Sequence, residues 1–167
     1  MKTLSLLIIC LLLCSACGLR DDPEIWASDI GKIEGVFPVL EAKEVTVFRD
    51  NDWCQAFEYT KGSYANEFDD NCTYLVNSDP RSFDSEAEQS FLEVSEVLQS
   101  TGIGIDIVKA KYNETGELIY GEFDFGSGFS GRYYVYSPDY TLPPDMPNEI
   151  VHTPINSDWY HVWMDWN

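Results

Sequence analysis

The chain has 167 residues, 29 acidic against 10 basic side chains, and a formal net charge of −19 at pH 7. A negative field of this size repels phosphates, which argues against nucleic acid as a partner and against docking on anionic lipid headgroups. It attracts cationic partners such as basic proteins and polyamines. The length suits one domain with a hydrophobic core.

The N-terminus has the pattern of an export signal. Lys2 provides a positive start, an apolar run follows, and small residues precede Cys17. The run is too short for a comfortable membrane span. We therefore predict a signal peptide at residues 1–16, a tether at residues 17–22 and a single domain at residues 23–167. Removing Lys2 with the signal changes the formal charge from −19 to −20.

The segment Leu13–Cys17 resembles the lipobox of bacterial lipoproteins, with Cys14 where that family usually has leucine. The resemblance implies that acyl chains such as palmitate modify Cys17 and anchor the protein to a membrane. Gly18, in place of the aspartate that retains such proteins at the inner membrane, implies the outer membrane, facing the periplasm. The alternative is ordinary cleavage after Ala16, which releases a soluble exported protein.

The first elements of the domain are predicted from local signals. Asp22-Pro23-Glu24 begins a helix, whose buried stripe is Ile25, Ile30 and Ile33. The segment from Val36 to Arg49 reads as extended. Short strands are expected at residues 55–60 and 73–76.

Cys54 and Cys72 are the pair that remains when the signal has left and Cys17 is at the N-terminus. In an oxidising compartment an even pair predicts a disulfide. The absence of Cys or His between them argues against a metal site, and their spacing is unlike a C-x-x-C redox pair. Closing this loop stabilises the fold by about 3 kcal/mol in the chain-entropy model.

The clearest helix runs from Asp84 to Ser100, and its apolar residues Ala87, Phe91, Val94 and Leu98 share one face. Alternating strands follow. The first, over residues 103–112, is expected to contain a bulge near Ile107. A turn at residues 113–116 leads to strands at 117–125 and 132–136, then to a proline-rich stretch and a terminal strand at 159–166. This order predicts an α+β fold in which an antiparallel β-meander packs on one main helix.

Half of the 24 aromatic residues lie between residues 120 and 166. Both faces of the terminal strand are aromatic, so either the proline-rich loop packs on the outer face or that face is a binding surface. Such a surface suits a glycan or a basic peptide. The candidate binding face consists of Trp159, His161, Trp163, Tyr134 and Tyr136.

No nucleotide, hydrolase or metal motif occurs in the sequence, so we expect no cofactor and no metal site. Glu122 and Asp124 lie on one strand face, about 6.7 Å apart. This separation is near the range of carboxylate pairs in glycoside hydrolysis. The sequence favours an envelope-anchored lipoprotein that binds or scaffolds without catalysis. The alternatives are a cell-envelope hydrolase using this pair and an acidic inhibitor of a cationic enzyme.

Overall fold

The computed structural model describes residues 23–51, 54–77, 79–126, 130–139, 142–146 and 149–165. The predicted signal peptide, the lipobox and Cys17 lie outside these residues. The helices are α1 (Pro23–Glu34), α2 (Phe37–Lys43), α3 (Asp70–Thr73) and α4 (Ser85–Ser100). The strands are β1 (Val47–Asn51), β2 (Cys54–Tyr59), β3 (Gly62–Ala65), β4 (Ile107–Tyr112), β5 (Leu118–Asp124), β6 (Ser130–Tyr136), β7 (Ile150–Pro154) and β8 (Trp159–Asp165).

The eight strands form one antiparallel sheet in the order β3-β2-β1-β4-β5-β6-β8-β7. This confirms the prediction of a single α+β domain. The terminal strand, predicted at residues 159–166, is β8 over Trp159–Asp165 and pairs with β6 on one side and β7 on the other, while residue 166 lies outside the described residues. Strand β8 is therefore an interior strand of the sheet, although it ends the described chain.

Helix α4 agrees with its prediction. The Asp84 carboxylate caps it by accepting from the backbone N–H groups of Glu86 and Ala87. The predicted apolar stripe is buried. Helices α1 and α2 share the cover of the sheet with α4, since Ile33 and Leu40 are fully buried in the same core as Phe91.

The expected extended segment at residues 36–49 is wrong in its first half, because residues 37–43 form helix α2. Pro38 fits the first turn of a helix, where its missing N–H has no partner to lose. Glu44 ends the helix in a left-handed conformation with φ 48°. A short apolar run of this kind is ambiguous between strand and helix in a sequence.

The strand expected at residues 73–76 is also absent, because the short helix α3 and a turn occupy this segment. The Asp69 side chain caps α3 by accepting from the backbone N–H of Cys72 at 2.7 Å. The predicted disulfide is present and places the Cys54 and Cys72 Cα atoms 5.3 Å apart. The cap and the disulfide together hold this segment against β2.

The predicted bulge near Ile107 is wrong in position. Strand β4 begins at Ile107, and the two isoleucines before it, Ile103 and Ile105, reach the core from a loop. Gly102 and Gly104 give that loop its shape with φ values of 68° and 83°. The register shifts at the other end of the strand, between residues 111 and 112. Ile119 of β5 lies opposite this shift, between the partners of Lys111 and Tyr112, and is exposed.

The outer edge of β7 is covered by residues 142–146, which we call the proline segment. The backbone N–H of Ile150 donates to the Met146 carbonyl, and that of His152 donates to the Asp145 carboxylate. Asp145 also bonds the His152 ring at 2.6 Å. Pro154 has no N–H. This edge therefore offers few free donors to a second strand.

Candidate functional site

The predicted binding face is the face on which the helices pack. Trp159, His161 and Tyr134 are 1%, 3% and 1% exposed. Trp163 and Tyr136 are half-buried, and Tyr136 packs against the same core. The structure brings these residues to one face as predicted, but most of that face is core.

Helix α1 is the element that buries the predicted face. Trp26 stacks on the His161 ring with centroids 4.3 Å apart. The Tyr134 hydroxyl donates to the Asp29 carboxylate at 3.0 Å. The indole N–H of Trp159 donates to Glu34 at 3.1 Å. A ligand could reach these side chains only if α1 moved, so the expectation of an accessible surface here is corrected.

The opposite face of the sheet, the open face, is covered at two ends by described segments of the chain. At one end residues 66–77, the disulfide segment, lie on β2 and β3, where both cysteines pack with Ala56 and Ala65. At the other end Leu142 of the proline segment packs on Val135, Tyr160 and Val162. Of the residues that the structure describes, no further segment covers the open face along β4 and β5 between these two ends.

The part of the open face between the two covers forms the floor of a groove with a volume of about 460 Å³. The disulfide segment contributes one wall through Tyr74, which is 64% exposed. The residues that line the groove are Tyr74, Ile107, Lys109, Glu122, Asp124, Gly126, Gly131, Tyr133 and Met164. Both carboxylates that the sequence singled out are therefore groove residues.

Strand register sets the order of side chains on the groove floor. Asp124 pairs with Ile107 of β4 on one side and with Tyr133 of β6 on the other. Directly opposed residues place their Cβ atoms about 5 Å apart. Asp124 therefore sits between an aliphatic and an aromatic side chain, with Glu122 two residues away on the same face.

This setting changes the protonation of Asp124. Burial raises the pKa of its carboxyl above the ordinary value, the Gly126 backbone bond and the positive charge of Lys109 oppose that rise, and the charge of Glu122 adds to it. A carboxylate that is half-buried and short of partners holds its proton more tightly than one in water.

Glu122 has a different environment. Its carboxylate forms an ion pair with Lys109 on the neighbouring strand at 2.9 Å. It also accepts a hydrogen bond from the Tyr120 hydroxyl. Burial and this carboxylate raise the pKa of the Tyr120 phenol, which stays protonated at neutral pH. Glu122 is thus held by two partners, Lys109 and Tyr120, whereas burial raises the pKa of the Asp124 carboxyl.

A buried cation joins the groove wall to the sheet. Arg49 is 3% exposed on β1, and its guanidinium donates to the Asn71 carbonyl at 2.6 Å. The same guanidinium lies over the Tyr74 ring, 5.3 Å from its centroid. These contacts fix Tyr74 relative to the groove floor.

Asp106, directly before β4, is a second perturbed carboxyl beside the groove. Burial, then the negative charge of Asp124, raises its pKa from 3.8 to about 6. When the pH lies between 3.8 and about 6, the Asp106 carboxyl keeps its proton in the folded chain but has lost it in the unfolded chain. This carboxyl therefore stabilises the fold at low pH, and its contribution is lost as the pH rises through about 6.

Replacing Asp106 with asparagine is expected to make the protein more stable than the wild type above pH 6, with a smaller difference at pH 4, because the variant has no charge to bury. Urea unfolding at pH 4, 5, 6 and 7 measures the difference. Asp139→Asn, at an exposed turn residue, is the matched control and is expected to show no such trend. A constant difference between wild type and Asp106→Asn across this range contradicts the assignment.

Sequence reasoning identified Glu122 and Asp124 and assigned them no role in its preferred interpretation. It missed Tyr74, Ile107 and Met164, which come from three distant parts of the chain. The alternation of Ile107 and Lys109 with buried residues was a visible signal that they share the face opposite the core.

No cluster of three or more metal-ligating side chains occurs within the described residues. Over the same residues, no helix has both the length and the apolar character that crossing a bilayer requires. Comparisons of the chain with protein-family models, with curated proteins and with solved structures give no match.

Proposed function

We propose that this protein is a binding module of the cell envelope, and that the open-face groove is its ligand site. The groove on the open face carries this proposal. Two described segments lie on that face, and the strands between them form the floor of a groove lined by apolar, aromatic and charged side chains. Concave sites with apolar and aromatic walls and a few polar groups are typical of ligand binding.

The lining of the groove suits selective binding. Tyr74, Tyr133 and Met164 offer aromatic and apolar contact, whereas Lys109, Glu122 and Asp124 offer charged groups on adjacent strands. Polar groups on paired strands are held more precisely than groups on loops. Gly131, opposite Met164, lets the Met164 side chain lie close over the floor, since a Cβ at this position would come within 3.1 Å of the Met164 methyl carbon.

The proposed location rests on the lipobox-like segment. Acyl chains on Cys17 would anchor the protein at the outer membrane, facing the periplasm. Five residues separate Cys17 from the start of α1 at Pro23. A tether of that length reaches at most about 18 Å, so the domain would stay beside the membrane. An exported protein released after cleavage before Cys17 is the alternative.

Titration of the isotopically labelled exported protein with fractions of envelope extract, followed by NMR, tests the site. We expect shifts at amides of β4, β5 and β6 around the groove, and their loss in Gly131→Val, whose side chain would crowd Met164 and narrow the floor. Leu92→Val, on the exposed face of α4, is the control and should keep them. Shifts elsewhere, or shifts that persist in Gly131→Val, contradict the proposal.

Mass spectrometry of the same protein tests the anchor, and an unmodified Cys17 rules it out.

A carboxylate-dependent hydrolase is the second candidate, favoured by one observation. Asp124, with its raised pKa, lies beside the anionic Glu122 on the groove floor. Carboxyls in unlike environments are the acid and base pattern of glycosidases. Release of reducing ends from purified envelope glycan, abolished by both Glu122→Gln and Asp124→Asn, would establish this activity in place of simple binding.

A further inference from the structure

The charges of the groove do not balance. It contains two carboxylates and one ammonium group, and the Lys109 ammonium lies 2.9 Å from Glu122. Asp124 accepts the backbone N–H of Gly126 at 2.9 Å, and no basic side chain of the described residues lies within ion-pair distance of it. Asp124 is thus the groove carboxylate that forms no ion pair with a basic side chain of the described residues, although the charge of Lys109 acts on it from a distance.

Asp124 is also poorly placed to be solvated. Ile107 and Tyr133 flank it on the neighbouring strands, and burial is the largest cause of its raised pKa. A half-buried carboxylate without a counter-ion opposes folding, and a cation brought by a ligand relieves that cost. A neutral ligand that covered the groove would bury the charge further.

The aromatic lining favours the same ligand. The faces of tyrosine rings attract cations, and this protein already places Arg49 over Tyr74 and Lys111 over Tyr120, at 5.3 and 5.2 Å from the ring centroids. Tyr133 stands directly beside Asp124, and burial raises the pKa of its phenol to about 12, so the ring is neutral at pH 7. A cation at Asp124 would lie against this ring.

The long-range field adds to these local contacts. The whole chain has a formal charge of −19, which concentrates cations at its surface and speeds their association. A field alone does not select a site, because 29 acidic residues contribute to it. The selection comes from the groove, where one carboxylate has an aromatic neighbour and, among the described residues, no basic side chain within ion-pair distance.

We propose that the groove binds the ammonium or guanidinium group of a basic ligand, with Asp124 as its counter-ion and Tyr133 as its aromatic wall. This deepens the proposed binding function and rests on it. The same chemistry is presented by lysine and arginine side chains of a polypeptide and by free polyamines.

Isothermal titration calorimetry of the exported protein at 0.15 M salt tests the proposal with three probes. They are a capped tetralysine peptide, spermine, and the neutral tetramer of N-acetylglucosamine. Asp124→Asn removes the carboxylate without changing its shape. Glu114→Gln, in the exposed turn after β4, changes the net charge equally and is the matched control.

We expect a cationic probe to bind the wild type and Glu114→Gln with affinities within about twofold, and to bind Asp124→Asn at least about tenfold more weakly, or about 1.4 kcal/mol. If only the peptide binds, the ligand is a polypeptide. If only spermine binds, the ligand is a polyamine. Equal weakening in both variants shows attraction by net charge only and overturns the inference, as does the absence of cation binding.

The neutral probe separates this inference from the proposed function. If only the oligosaccharide binds, and Gly131→Val abolishes its binding, the groove is a ligand site but the cationic ligand is wrong. If a probe binds Gly131→Val as tightly as it binds the wild type, the groove is not the site and both proposals fail.

Discussion

Replacing Trp159 with alanine is expected to lower the free energy of unfolding by about 3–5 kcal/mol, the range of large aromatic truncations in a core. The side chain is 1% exposed and is the largest of the fully buried ones. Its ring lies 5.9 Å from that of Phe37 and 5.8 Å from that of Phe123, so it joins α2 to the sheet. The substitution also leaves Glu34 without its hydrogen-bond donor.

Trp163→Ala is the matched control, because it changes the same residue type on the same face of β8. Trp163 is half-buried, and we expect less than half the loss found for Trp159→Ala. Chemical denaturation monitored by circular dichroism measures both variants. Equal losses would show that the Trp159 end of β8 is no better packed than the Trp163 end, contrary to the described core.

Replacing Cys54 and Cys72 together with alanine is expected to destabilise the fold by about 3 kcal/mol, because the open loop regains conformational entropy when unfolded. Both cysteines are fully buried, 18 residues apart in sequence. The loss should also loosen Tyr74, because the disulfide fixes the segment whose Asn71 carbonyl accepts from Arg49. The groove would lose its wall along with stability.

Denaturation with and without reductant separates the disulfide from the side chains themselves. Reductant should lower the stability of the wild type to that of the double variant and leave the variant unchanged. A tyrosine-specific probe such as NMR of the Tyr74 ring should report greater mobility in the variant well below its melting temperature. Alkylatable thiols at both Cys54 and Cys72 in the native protein would contradict the disulfide.

The features that the sequence predicted correctly are those whose causes are local. Asp84 caps α4, and four apolar residues at helical spacing bury one side of it. The disulfide was predicted from the cysteine count and from the expected export to an oxidising compartment, and the structure contains it. Strand β8 was predictable because alternating aromatic residues are too apolar to remain in water.

Local sequence signals gave wrong predictions for segments whose residues are compatible with more than one secondary structure. Residues 36–43 are apolar enough for a buried strand, and they form α2 because Pro38 starts a helix and Leu40 finds a place in the core. The expected bulge near Ile107 failed similarly, because the two preceding isoleucines reach the core from a loop that positive-φ glycines shape.

The sequence by itself determined that the terminal strand β8 has two aromatic faces, since side chains alternate along a strand. It could not determine which face is accessible, because that depends on what packs there. Helix α1 covers Trp159, His161 and Tyr134, whereas the disulfide and proline segments leave Glu122 and Asp124 open between them. Residues from five separate parts of the chain meet in the groove only after the strands pair. The periodicity of the sequence determines which side chains of a strand share a face of the sheet. Whether that face is buried depends on the tertiary contacts made by the elements that pack on it.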